Sequence, residues 1–329
     1  MIWVTWRLQR AQLITMLGLL IAGAGVIALL RSNMLEDLAS TGLASCVTRT
    51  LDECSPAGAA KAFAESWSTS FDVARAVIIG LPALVGVFVG APLFARELEQ
   101  GTHVLAFTQS VSRTRWMFGK LLVALVPALV VLIVLQSLVS WWLSAAGILG
   151  PFMNGPFTAF NFGIEHVSPV GYALFAFALG TFLGVATRRT LVAMTAGLAA
   201  FVVVRLALSG LVDRLVPAQR LEVAPDQPMT VHQDGSLVLG DGWLDAAGQP
   251  VSSDKAAALI QACKSTPAGT SNTQEGYLAC LPQSGLAKRY ADFIPESHAW
   301  QVHLVDASIF GGLALLLLAG TAWALRRQS

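Results

Sequence analysis

Six stretches of about twenty residues, nearly free of charge, dominate this chain, and a helix of ~20 apolar residues is what a bilayer core of ~30 Å requires. Ala11–Leu30 lies between Arg10 and Arg31, and Ala76–Ala95 lies between Arg75 and Arg96. The third runs from Leu121 to about Gly147, long enough to tilt. Pro169–Thr187 and Leu191–Val212 are separated by Arg188-Arg189, and Ala307–Leu325 stops at Arg326-Arg327. Composition agrees: 55% of residues are apolar and 12% charged, against about 25% charged in soluble domains. The first run is too long for a signal-peptide core, and no small-x-small cleavage signal is followed by a mature soluble chain, so it counts as a span. The expected fold is an all-α polytopic membrane protein with six transmembrane helices and a small mixed α/β extracytoplasmic insertion before the last.

Lys and Arg in the short loops set the orientation. Residues 1–10, 96–120, 188–189 and 326–329 hold ten Lys/Arg against Glu97 and Glu99, a balance of +8. Residues 31–75, 148–168 and 213–305 hold ten Lys/Arg against seventeen Asp/Glu, a balance of −7. Arg205 and Asp306, in or at the edge of spans, cancel. The formal net charge of +1 therefore conceals a strong asymmetry, and both termini are expected in the cytoplasm of a plasma-membrane protein. That total also excludes a polybasic nucleic-acid binder, so no nucleic-acid partner is expected. The chain divides into residues 1–212 (five spans, the first outer loop 31–75 and the cytoplasmic segment 96–120), the extracytoplasmic insertion 213–305, and 306–329 (the sixth span and tail).

All four cysteines fall on the side expected to be outside: Cys46 and Cys54 in the first outer loop, Cys263 and Cys280 in the insertion. Thiols confined to one face point to an oxidising compartment. Of three connectivities, the local pairs Cys46–Cys54 and Cys263–Cys280 are expected, with four free thiols as the alternative. In the insertion, Met229–Leu239 alternates around Asp234-Gly235, a hairpin signal. Ser253-Asp254 opens a helix, and Ser284–Phe293 reads as a second short amphipathic helix ended by Pro295. In the first outer loop, Ala60, Phe63, Ala64 and Trp67 fall at helical spacing, which predicts a helix along the membrane surface. Trp141-Trp142 fits the outer interfacial belt. The insertion reads as a cap over the outer mouth rather than a ligand-binding domain.

Several chemistries have no residues to carry them. There is no G-x-x-x-x-G-K-[ST] loop for ATP, no H-E-x-x-H and no G-x-S-x-G. His298 and His303 are five apart and off one helical face, and the five histidines do not cluster in sequence, so no metal site is expected. Span centres hold no acids, which weighs against an ion-coupled secondary transporter. Arg205, toward the outer half of the fifth span, is expected to pair with Asp306 at the start of the sixth or to snorkel outward, a structural role rather than a substrate contact.

The segment from Phe94 to Lys120 is the most informative. It reads as a helix leaving the membrane, a break at Gly101-Thr102, a short helix over about His103–Thr108, and a re-entry helix capped by Ser112. Arg113, Arg115 and Lys120 can meet lipid phosphates, and a short helix between two spans can dock into a groove on a soluble partner.

This pattern, R-E-x-E-x-G-T followed by F-T-Q-S-V-S-R and G-K, resembles permease subunits of type-2 ATP-binding-cassette exporters, particularly actinobacterial ones. The resemblance implies that Arg96, Glu97, Glu99, Gly101 and Thr102 form the element that couples to a separate ATPase subunit, with Arg113, Gly119 and Lys120 at its exit. It also implies that the N-terminal W-R-L-Q-R is an amphipathic elbow helix, and that Trp300, Gln301 and Asp306 stand in a diverged P-x-x-x-F/W-x-x-Q-x-x-E run. The chain itself would hold no cofactor and catalyse nothing. ATP and Mg would be bound by the partner ATPase, and a second permease chain, identical or different, would complete a dimer in the lipid bilayer. Spans two and five would face a hydrophobic or amphipathic cargo such as a drug, lipid or peptide. A non-transporting membrane sensor or assembly factor, binding a ligand or protein through its outer loops, is the alternative.

Overall fold

A computed structural model describes residues 2–47, 57–101, 113–209, 216–232, 235–265 and 274–327. Among these residues, six helices are long and apolar enough to cross a membrane. The first, α1 (Ile2–Ser40), continues three turns past the expected end at Leu30. It stops at Thr41-Gly42, where Gly42 takes a left-handed φ of 72° and its N–H closes back onto the Ala39 carbonyl. The elbow implied for W-R-L-Q-R is not a separate helix: residues 6–10 belong to α1, because no Gly or Pro interrupts the chain before Gly18.

The second span is α2 (Ala57–Leu84), a π-helical turn (Val85–Gly90) and α3 (Pro92–Glu99). Its outer part corrects another expectation. Ala57–Phe71 does not lie along the surface but runs straight into the span. Phe63 and Phe71 are buried with Trp142 of the third span, and Trp67 packs against this cluster. Rings of Trp67 and Phe71 sit 6.4 and 5.4 Å from Trp142. Trp67 Nε1 donates to Asp37 at the end of α1 (2.8 Å). The apolar stripe thus finds protein rather than lipid, and the buried Trp142 is not an interfacial anchor; Trp141, half exposed, carries the Arg31 guanidinium over its ring at 3.9 Å.

The third span is α4 (Arg113–Ser144). Short turns at Gly147–Leu149 and Pro151–Asn154 and the one-turn α5 (Ala159–Phe162) lead to the fourth span, α6 (Ser168–Thr187). Arg188, left-handed at φ 53°, turns the chain into the fifth span, α7 (Thr190–Leu208). This is the tight Arg188-Arg189 turn expected from the sequence. The fourth span is the centre of the bundle, and small residues let the second reach it. A Cβ on Gly86 would meet the Ala176 carbonyl oxygen at 2.7 Å, one on Gly90 the Phe177 oxygen at 2.5 Å, and one on Gly184 the Ala91 oxygen at 2.5 Å. Without a hydrophobic gradient between helix and lipid, such close backbone approach supplies the packing energy.

The chain separates into two compact units, one of the spans and one of Gly155–Phe157 with Asp213–Gln301. The second holds an antiparallel sheet of β1 (Gln219–Val223), β2 (Leu237–Leu244), β3 (Pro250–Val251) and β4 (Lys288–Ile294), in the order β1-β4-β2-β3. Helices α8 (Ser253–Ser265) and α9 (Gln274–Gln283) are joined by the Cys263–Cys280 disulfide. Cys46 is also disulfide-bonded, whereas Cys54 lies outside the described residues. Two expectations fail here. Among the described residues, the first arm expected for a hairpin over Met229–Leu239 is not a strand: Thr230–His232 is a 3-10 turn, Met229 and Val231 plug a core with Val223 and Ala291, and β2 begins at Leu237. Residues 284–293 are no helix either. Gly285 at φ 100° ends α9, and 288–294 becomes β4, which gains a ladder on each side. The sixth span, α10 (Ala299–Arg327), closes the chain.

Candidate functional site

Two groups of polar side chains stand out at opposite ends of the spans. The first gathers where the second span ends. Gly101 has φ 70° and its N–H reaches the Leu98 carbonyl (3.4 Å), so the break expected at Gly101 is a glycine C-cap. Thr102, the helix expected over 103–108 and the Ser112 cap lie outside the described residues. Arg113 is the first residue of α4, and Arg96 is exposed on α3.

The two acids of this segment have partners inside the chain. Glu97 pairs with Lys120 of the third span. Lys120 is 5% exposed, and its ammonium also sits 4.6 Å from the Trp116 ring centre and 5.7 Å from that of Phe94. A buried ammonium of this kind costs several kcal/mol to desolvate, which the carboxylate and the ring faces offset. Lys120 is therefore an internal strut and not a lipid-phosphate anchor. Glu99 accepts hydrogen bonds from Thr190 Oγ1 (2.8 Å) and the Thr190 backbone N–H (3.2 Å). Thr190 begins the fifth span, so Glu99 caps that helix and places a negative charge at its positive end. The end of the second span is thereby tied to the starts of the third and the fifth.

The second group lies near the other end, around the starts of α6 and α10. Arg205 and Asp306 are near one another but form no direct ion pair. Arg205 lays its guanidinium 4.2 Å over the Tyr172 ring and reaches the Ile79 carbonyl at 3.4 Å. Asp306, buried, lies beside Tyr172 and Ser168. Tyr172 thus stands between cation and anion, its ring face under the guanidinium. The expected pair becomes a relay of three.

The expectation that the histidines stay apart also fails. His166, left-handed at φ 53°, stacks on His303 with ring centres 4.6 Å apart, and Phe162 stacks on His303 at 4.1 Å. The His166 carbonyl accepts from Gln136 Nε2 (2.8 Å), which helps hold this backbone. No spacing rule links a loop residue before the fourth span to one in the sixth, so only the fold could reveal this contact.

A third feature had no sequence signal beyond its charge. Arg75, buried, donates to Asn161 Oδ1 (2.8 Å) and pairs with Asp72, while Asn161 Nδ2 donates to the Pro151 carbonyl (2.9 Å). These bonds pin the 147–162 connection to the second span beside a cleft of about 440 Å³ lined by Lys61, Ser68, Phe71, Asp72 and Met153.

Six apolar spanning helices, with charges knitting the second, third and fifth together at one end, define a multi-pass membrane protein. The chain belongs to the family described as ABC-2 membrane transporter related, whose sequence model matches residues 17–213, from the first span to the end of the fifth. Members are membrane subunits that are normally non-catalytic. No curated protein and no solved structure matches the chain.

Proposed function

We propose that this chain is the membrane half of an ATP-driven exporter, working with a separate ATPase subunit that binds ATP and Mg, and with a second permease chain. Both termini lie in the cytoplasm, and the segment from Arg96 to Arg113 receives the push of the ATPase. The observation that carries this reading is the bond from Glu99 to the first residue of the fifth span. A load applied at residues 96–101 then moves the second and fifth spans as one body, the rigid-body motion that alternating access requires. Glu97 and Glu99 serve this by stiffening the connector, and Arg96, exposed, is the charge placed to meet the ATPase.

Outward-facing side chains on these two spans are apolar: Val77, Leu84 and Phe88 on one, Val192, Leu198 and Val203 on the other. A wall of this kind favours hydrophobic or amphipathic cargo such as a drug, lipid or peptide. Co-purification with an ATPase and ATPase-driven export from vesicles test the proposal. The Glu99→Ala variant is expected to retain the ATPase while losing most of the transport. No bound ATPase in any preparation would overturn the exporter reading, and full transport by Glu99→Ala would overturn the coupling route.

A further inference from the structure

We infer that Glu165, His166 and His303 form a binding site for a divalent transition cation of the zinc type. One donor atom from each of the three residues lies within 4.8 Å of the other two. All three belong to the compact unit of the spans: Glu165 and His166 end the connection before α6, and His303 sits one turn into α10.

The chemistry of His303 singles this place out. The residue is fully buried, with Nδ1 2.8 Å from Ser168 Oγ. A serine hydroxyl has one proton to give. Its other neighbours are the Asp306 carboxylate and, at 3.5 Å, the His303 carbonyl, both of which only accept. In the inferred site Ser168 gives its proton to one of these and accepts from Nδ1–H. That tautomer gives Nε2 a lone pair, and Nε2 is buried without a hydrogen-bond partner. A neutral imidazole whose other nitrogen donates to an oxygen is the usual state of a metal-ligating histidine.

His166 supports the assignment independently. Its left-handed backbone is unusual for a residue with a Cβ, and strain of this kind collects at functional sites. It brings the second imidazole against the first. Two nitrogens and one carboxylate oxygen, with no thiolate, suit Zn²⁺ and its neighbours, and water would complete four-coordination. Zinc–nitrogen bonds of about 2.0–2.1 Å hold two donors no more than ~4.2 Å apart, so the group must close slightly. The exposed His166 ring, stacked with its plane 19° from that of His303, has the freedom to turn its edge inward. A bound ion would fasten the 147–167 connection to the start of the sixth span.

Metal uptake by the tag-free full chain in detergent, stripped with a chelator and titrated with Zn²⁺ alone, tests the site. One ion per chain is expected, together with a raised unfolding temperature and, with Co²⁺ in its place, the visible absorption of a low-coordinate site. His166→Ala and Glu165→Gln lie at the more accessible positions and should each weaken Zn²⁺ affinity at least about tenfold. Ser168→Ala should weaken it about tenfold through the lost tautomer while leaving the stoichiometry at one. His303→Ala removes a buried ring and can fail by misfolding, so the other three variants carry the test. Failure of the wild type to take up zinc, or wild-type affinity in both His166→Ala and Glu165→Gln, would overturn the inference. These readouts need no ATPase and are separate from the test of export.

Discussion

At the scale of single residues, charge here is placed to hold structure. Arg220 and Asp292, opposite one another on β1 and β4, make a bidentate pair at 2.7 and 2.8 Å. The Arg220 hydrogen bonds hold the Asp292 carboxyl below its ordinary value of 3.8. A carboxyl whose folded value is depressed adds stability above its unfolded value, and that contribution is lost as pH falls through the folded one. Amide protection in β1 and β4 should therefore be higher in the wild type than in Asp292→Asn at neutral pH, and the difference should vanish once Asp292 is protonated. Hydrogen exchange followed against pH checks this; an equal gap at every pH would show that the pair does not act through its charge. Glu97 and Glu99 likewise each answer a specific partner inside the chain.

Helix pairing is decided by glycines, and not all of them matter equally. A Cβ on Gly180 would press into the Gly86 carbonyl of the second span, while one on Gly311 of the sixth span meets nothing within 4 Å. Gly180→Ala should cost about 1–3 kcal/mol through forced separation of the second and fourth spans. Gly311→Ala should be neutral or stabilising by up to about 1 kcal/mol, since only helix propensity changes. Unfolding of both variants in the same detergent gives the comparison, and equal midpoints would refute the close approach. Of the elements themselves, the spans are legible because twenty residues without charge have one cheap environment. The amphipathic stretch at Ala57–Phe71 is legible as a helix but not in direction, because periodicity names a buried face without naming what buries it. Residues 288–294 read as helix because their apolar positions fit both periods; pairing on both edges makes them a strand.

Across the whole molecule, the charge count predicts that the end holding Arg96, Arg188 and Arg326 faces the cytoplasm. A cysteine introduced at exposed Gln249 should react with an impermeant maleimide on intact cells, and one at exposed Gln100 only after permeabilisation. The reverse pattern would invert the topology and remove the segment from the reach of an ATPase. This expectation can be drawn from sequence because the Lys/Arg bias of short loops sets orientation however the helices pack.

What the sequence by itself determined is therefore what a single segment can settle against its solvent: six spans, the tight Arg188-Arg189 turn and the Gly101 helix stop. Tertiary structure decided everything that depends on a partner far along the chain. It turned Glu97 toward Lys120 and Glu99 toward Thr190, slid Tyr172 between Arg205 and Asp306, and stacked His166 on His303. The physical reason is common to all four. The bilayer makes an unpaired polar group expensive, but which distant group relieves it depends on how the helices meet, and local periodicity carries no record of that.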